Sequence, residues 1–206
     1  MSNINLKNIT EQLIDTFFEA GRIAKKISEE GVKITIKKDK SPVTDGDLAV
    51  DKILGEKIKK ITPQIPIISE ETVKTKVENE NFWLIDPIDG TKEYIKKKDE
   101  YTLNAALILN LKPEIGIIYA PAKNRLFFSY GNGSAYEIRN KKTMKLNCEK
   151  KNKDKIIGLE NSSATPDEIL NIYKDHKVSE KIIMSSSLKF CVLAAGEADI
   201  YAAKAR

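Results

Sequence analysis

The residues of this sequence best suited to chemistry lie in two short acidic stretches, each closing an apolar run. Ile67-Ile68-Ser69-Glu70-Glu71 ends on two carboxylates, and Trp83-Leu84-Ile85-Asp86-Pro87-Ile88-Asp89-Gly90-Thr91 carries two more. If the runs are neighbouring strands, four carboxylates meet at their ends. At about 4 Å, one pair of like charges costs about 1 kcal/mol in water and roughly 4 kcal/mol at an effective dielectric near 20. Ordinary carboxyls are ionised at neutral pH, so such a cluster needs either a bound cation or large pKa shifts. An all-oxygen ligand set selects a hard ion, magnesium or manganese, over zinc.

The second stretch also has a particular geometry. Pro87 fixes φ, so the chain can turn sharply and aim Asp86 and Asp89 at one centre, with the Ile88 carbonyl available as a further ligand. Gly90 permits close backbone approach, and a helix starting at Thr91 would open its first amides toward an anion. A phosphate could then bind metal and helix N-terminus together. The plainer alternative is a surface turn, for which Asp-Pro-x-Asp-Gly has the ordinary composition. Its place directly after an apolar strand, and the separate Ser-Glu-Glu element, argue against that alternative. Glu71 stays open between a ligand and a solvent-facing neighbour of Glu70.

Other chemistries find little support. The single histidine, His176, sits at a polar helix end far from the acids and reads as surface. Cys148 and Cys191 have no CxxC spacing, which fits reduced thiols better than a disulfide framework or a zinc site. The net charge of +5 over 206 residues mildly favours an anionic ligand. Lys96-Lys97-Lys98 and Lys150-Lys151 lack interleaved aromatics and match no nucleic-acid-binding signature, so no nucleic-acid partner is expected. Apolar runs such as 105–109 and 115–122 are too short to cross a bilayer, and the N-terminus lacks the pattern of a signal peptide. A cytoplasmic protein without a transmembrane segment is expected.

Positioning the acids requires the following elements. Leu6, Ile9, Leu13, Ile14, Phe17, Gly21, Ala24 and Ile27 recur at helical steps, predicting a long first helix stopped by Gly31. Val32, Ile34 and Ile36 alternate with polar residues as in a half-exposed strand, and a loop through Asp39–Pro42 follows. Thr44 and Asp47 resemble a capping box for a second helix ending before Pro63. Strands are predicted at 65–69, 82–86, 102–110, 114–120, 125–130 and 135–138, and their short links imply an antiparallel sheet. After a polar stretch over 141–155, strand 156–159, a helix from Thr165-Pro166, strand 181–184, helix 187–195 and strand 198–201 alternate in βα fashion. We therefore divide the chain into an α+β metal-binding unit, 1–150, and the start of an α/β unit, 151–206.

Asp86–Thr91 matches the Asp-Pro-(Ile/Leu)-Asp-Gly-Thr signature of the inositol monophosphatase superfamily, and Glu70-Glu71 matches its upstream acidic pair. Lys37–Asp47 resembles the Lys-x-Asp-x-Ser-Pro-Val-Thr-x-x-Asp element of the same superfamily. Asp89–Tyr94, Gly116–Pro121 and Ser186–Cys191 resemble its CysQ-type 3'(2'),5'-bisphosphate nucleotidase branch. The resemblance runs over nearly the whole chain. It implies a layered αβαβα sandwich and a magnesium-dependent phosphatase with two or three ions. It makes Glu70, Asp86, Asp89 and the Ile88 carbonyl the metal ligands. Asp47 and Thr91 would orient the attacking water, Glu71 would act in the outer shell, and Gly90, Thr91, Ser186 and Lys189 would bind substrate. Asp47 has a competing reading as a helix cap, and Ser186 and Lys189 as a capping serine and a solvated lysine.

The implied substrate is a small phosphorylated nucleotide, adenosine 3',5'-bisphosphate, hydrolysed to AMP and phosphate in sulfur assimilation. An inositol or sugar monophosphatase and a catalytically impaired metal- or nucleotide-binding fragment are the alternatives. The family leaves homodimer formation open and includes members attached peripherally to the inner face of the cell membrane. Members continue past the equivalent of Tyr201 to a Trp-Asp-x-Ala-Ala-Gly motif with a further metal-binding aspartate, and the arginine common just after Ala-Asp-x-Tyr has no clear counterpart in Ala202-Ala203. The expectation is a chain truncated at its C-terminus.

Overall fold

The computed structural model describes residues 5–71, 79–131, 133–149, 154–161 and 165–204. Helix α1 (Leu6–Glu30) starts where the Asn5 side chain accepts from Asn8 N and stops at Gly31. Its buried stripe of Ile9, Leu13, Phe17, Ala20 and Ala24 meets Val50, Leu54 and Ile58 of α2 (Asp45–Ile61) in one core. Between the helices, β1 (Ile34–Ile36) and β2 (Pro42–Thr44) form a two-stranded antiparallel ribbon. The alternation in β1 predicts a half-buried strand, yet all three residues are exposed, Ile34 and Ile36 included. Periodicity detects a strand but not whether anything covers it.

The helices cover a seven-stranded sheet in the order β3-β4-β5-β6-β7-β8-β9. Its strands are β3 (Ile67–Ser69), β4 (Phe82–Asp89), β5 (Thr102–Leu109), β6 (Lys112–Ala120), β7 (Arg125–Tyr130), β8 (Ala135–Arg139) and β9 (Lys142–Lys145). Pairing from β4 to β9 is antiparallel, as the short links predict. The exception is β3, which runs parallel to β4 and so corrects the expectation of a wholly antiparallel sheet. β9 was not expected within the polar stretch; all its residues are exposed, so it offers no apolar alternation to read.

Period-two alternation makes the sheet two-sided. Ile115, Ile117, Leu126 and Phe128 face the α1–α2 core, whereas Ala120 and Phe127 face a second cluster with Leu188, Cys191 and Val192 of α5 (Leu188–Ala194). Beyond α5 lies a parallel three-stranded sheet, β11-β10-β12, of β10 (Ile157–Glu160), β11 (Glu180–Ile183) and β12 (Ile200–Tyr201). Its other side is covered by α4 (Asp167–Asp175), whose buried Tyr173 donates its hydroxyl to Leu159 O. The layers are αβαβα. Among the described residues no helix is long and apolar enough to cross a membrane, and the cysteines are unpaired, Cys191 buried and Cys148 exposed.

Buried Arg125 ties the seven-stranded sheet to the turn after α5. Its Nε donates to Glu137 Oε1 at 2.6 Å, and Nη1 and Nη2 donate to the two oxygens of Glu197, just beyond α5, at 3.0 and 2.7 Å. Removing one partner of such a buried set strands the other charge, at a cost of about 3–5 kcal/mol. Arg125→Ala is expected to lower unfolding free energy by about 3 kcal/mol in urea titrations, and Arg125→Lys by less.

Candidate active site

The parallel pairing of β3 with β4 brings the acidic ends together. Ser69 pairs with Ile85, so Glu70 and Asp86 leave the same sheet edge side by side, and Glu70 N donates to Ile85 O at 3.1 Å. On its other side β4 pairs Asp86 with Asn104 and Asp89 with Thr102, three residues against two, a bulge at Pro87-Ile88. That extra residue re-aims the strand end. Gly90 follows at φ 92, the left-handed region, and a Cβ there would lie 3.0 Å from Glu100 O. It is the N-cap of α3 (Thr91–Ile95), so the condition set for an anion-facing turn, a helix beginning at Thr91, is met.

Asp47 enters from the first turn of α2 as the second half of the expected capping box. Fully buried, its Oδ2 accepts from Thr44 N at 2.8 Å and from Thr44 Oγ1 at 2.5 Å. Its Oδ1 lies 3.5 Å from Thr91 Oγ1, which is also 3.1 Å from Ile88 O. Capping and a functional position are therefore compatible. Gly46 lets this turn approach α3, since a Cβ there would collide with the Tyr94 hydroxyl, itself bonded to Ala24 O.

Glu70 and Glu71 share a partner, Lys37, for which no role was expected. Lys37 Nζ lies 3.1 Å from Glu70 Oε1 and 2.9 Å from Glu71 Oε1. The Glu71 side chain is only 5% exposed and the Glu70 side chain 50%, so the two acids differ in the sense opposite to a solvent-facing Glu71. Asp89 Oδ2 accepts from Ser187 N at 2.5 Å. Ser186 has a left-handed φ of 58, and its Oγ accepts from Leu188 N at 3.4 Å. Lys189 is buried, its Nζ 3.3 Å from Met184 O and 5.3 Å from the Tyr201 ring centroid. That burial removes the alternative of a solvated lysine. A cleft of about 800 Å³ runs from Glu70, Asp89, Gly90 and Thr91 past Ser186 and Lys189 to Glu160 and Tyr201.

Burial of like charges sets the electrostatics. Asp86 is pushed up to about 8, by desolvation first, then by the charges of Asp89 and Glu70. Desolvation also raises Asp89, against the opposing Ser187 N–H and Lys189 charge, and raises Asp47 against its Thr44 bonds. Glu71 is raised by burial in spite of Lys37. For Lys37, burial works downward, but Glu71 and Glu70 outweigh it and hold the ammonium above its ordinary value.

This donor set fits a hard divalent cation. It consists of oxygens alone, and Asp86 Oδ1 is buried without a hydrogen-bond partner, an acceptor in want of a positive charge. Among the described residues no three carboxylate, His or Cys groups form a closed ligand cluster by themselves. Lys37 draws Glu70 outward, and Ser187 holds one oxygen of Asp89.

An αβαβα sandwich with acids at adjoining strand ends beside an open cleft defines a class, and the comparison with known families agrees. Residues 5–205 match the inositol monophosphatase family, and the chain belongs to it. Its relatives include the 3'(2'),5'-bisphosphate nucleotidase CysQ of Buchnera aphidicola subsp. Acyrthosiphon pisum, 34% identical over 95% of this chain and 77% of that protein. Among solved structures, CysQ from Bacteroides thetaiotaomicron is 28% identical with a TM-score of 0.71, covering 96% of this chain and 80% of that one. An IMPase/NADP phosphatase complexed with Mg2+ and phosphate shares the fold, with a TM-score of 0.76 at 16% identity over 95% of this chain and 74% of that one.

The raised Asp86 gives a pH prediction. A carboxyl whose pKa is higher folded than unfolded stabilises the fold fully below its unfolded value, near 4, and loses that contribution as pH rises through about 8. In chelator, the midpoint of thermal unfolding should therefore fall between pH 5 and 8.5, and Asp86→Asn should flatten the slope. Magnesium should restore the loss and release protons at pH 7, seen as calorimetric heats that vary with buffer ionisation enthalpy. Heats independent of the buffer would contradict the assignment.

Proposed function

We propose that this chain is a magnesium-dependent phosphomonoesterase that removes the 3'-phosphate of adenosine 3',5'-bisphosphate, giving AMP and phosphate. The observation carrying the reading is the buried, partnerless Asp86 oxygen at a strand end shared with Glu70 and close to Asp89. The CysQ relatives favour the nucleotide over an inositol phosphate. Glu70, Asp86, Asp89 and the Ile88 carbonyl would hold the ion. Magnesium bound there supplies a Lewis acid that activates water and offsets charge on the phosphoryl oxygens.

The remaining roles belong to the chain itself. Thr91 Oγ1, between Asp47 Oδ1 and Ile88 O, orients the attacking water, and Asp47 keeps that hydroxyl aligned because its other oxygen is fixed by Thr44. Water oxygen bonds to phosphorus as the bond to the ribose 3'-oxygen breaks, so no protein nucleophile is required. Glu71 acts one layer out, holding the Lys37 ammonium that pairs with Glu70 until the ion takes Glu70 over. The Gly90 and Thr91 amides and Ser186 face the phosphate in the cleft, and the Lys189 ammonium meets the second phosphate. Residues 1–150 and 151–206 act as two structural units that close the cleft from either side.

A binding-only reading has one observation in its favour, that the acids do not by themselves form a closed ligand cluster among the described residues. Phosphate release from adenosine 3',5'-bisphosphate and from inositol 1-phosphate, with and without magnesium, separates the readings. Metal-dependent release with a clear preference for the nucleotide is expected. Asp86→Asn should abolish it, and Thr91→Ala should slow it about a hundredfold. Equal turnover of inositol phosphate would sink the nucleotide assignment, and magnesium binding without release from either ester would favour the binding-only reading.

A further inference from the structure

The turn from β11 into α5 contains three consecutive serines, and each contacts the acidic side of the cleft. Ser185 N donates to Glu100 Oε2 at 2.9 Å. A Cβ built on Gly90 would lie 3.5 Å from Ser186 Cβ, so Ser186 sits against the glycine that ends the metal-binding stretch. Ser187 is the most heavily engaged. Its N–H donates to Asp89 Oδ2 at 2.5 Å, and its Oγ is 2.7 Å from Asn104 Oδ1 and 2.8 Å from Thr102 Oγ1.

Donor and acceptor chemistry fixes the direction of this chain of bonds. Asn104 Nδ2 is directed at the carbonyls of Asp86, at 3.5 Å, and Thr102, at 3.3 Å, so Asn104 Oδ1 faces Ser187 and can only accept. The Ser187 hydroxyl donates to it and must in turn accept from the fully buried Thr102 hydroxyl. One small side chain with a single donor and a free lone pair satisfies both neighbours. Alanine would leave two polar groups of β5 without a partner, and the backbone N–H aimed at Asp89 would lose its anchor. Two residues further on, Lys189 faces the cleft from the same α5, whose far end is secured by the Arg125–Glu197 pair.

We infer that Ser187 is a positioning residue. Its hydroxyl, held between Thr102 and Asn104, sets the main-chain N–H that orients the Asp89 carboxylate, and so makes cation binding at the strand ends and nucleotide binding beside Lys189 depend on each other. This rests on the phosphatase reading above. Outer-sphere partners of metal ligands commonly change metal affinity or activity by about 10–100-fold when removed. Coupling between two ligands is reciprocal, each changing the other's affinity by the same factor.

Titration calorimetry of this chain with magnesium and with AMP, each alone and in the presence of the other, tests the inference. The unaltered chain should bind each ligand more tightly in the presence of the other; Ser187→Ala should weaken magnesium about tenfold and bring that mutual enhancement toward one, while Ser187→Thr should recover part of both. If Ser187→Ala does not fold, Thr102→Val, which removes the donor to the same hydroxyl, carries the same expectation. A lowered melting temperature with unchanged magnesium affinity and unchanged coupling would overturn the positioning role alone. Absence of magnesium binding in the unaltered chain would overturn the phosphatase reading, and the positioning role with it.

Discussion

Burial of carboxylates beside one another, with too little positive charge at hand, is the constraint around which this fold is arranged. Burial raises Asp86, Asp89 and Asp47, the charge of Glu70 adds to all three, and Asp86 is pushed furthest, to about 8. No gain from packing requires acids at the end of a strand as apolar as Trp83-Leu84-Ile85. Their presence makes sense if positive charge is supplied there. Lys37 supplies part of it to Glu70 and Glu71, and the buried Asp86 oxygen receives no hydrogen bond. A divalent cation bound there would relieve the remainder, and the same relief is what a phosphate ester needs before water can approach it.

The fold delivers this arrangement through a few local devices. A parallel β3–β4 pair places Glu70 beside Asp86, and one extra residue in β4 against β5 re-aims the strand at Asp89. The capping box of α2 immobilises Asp47 against Thr91. From the opposite side, the serine turn fastens α5 to Asp89, Asn104 and Glu100, while Arg125 fixes the other end of α5. Hydrogen bonds from the serine turn thus join α5 to the strand ends that carry the acids.

Much of this was legible in the sequence where local pattern carries the information. The stripe of α1, the Thr44–Asp47 cap, the turn at Gly90 and the helix start at Thr91 each follow from neighbouring residues, and the structure has them there. Strand direction was not legible, because alternation in 67–69 does not say which neighbour it joins, and β9 has no buried residue to mark it. The partners of the acids were harder still. Ser187 is 98 residues from Asp89 in the sequence, and Lys37 is 33 from Glu70. Lys189, a substrate-binding residue by resemblance, kept a competing reading as a solvated lysine because its cover, Tyr201 and the Met184 carbonyl, is supplied by segments whose placement only the tertiary fold determines.

The central claim is that Glu70, Asp86 and Asp89 are jointly the ligands of a divalent cation. Crystals of this chain soaked in manganese, with data collected at the manganese absorption edge, test it directly. The account predicts an anomalous peak in direct contact with the now partnerless Asp86 oxygen, with Asp89 and with Glu70 swung away from Lys37. Saturating manganese with no peak at these strand ends, and Glu70 still paired with Lys37, would contradict it.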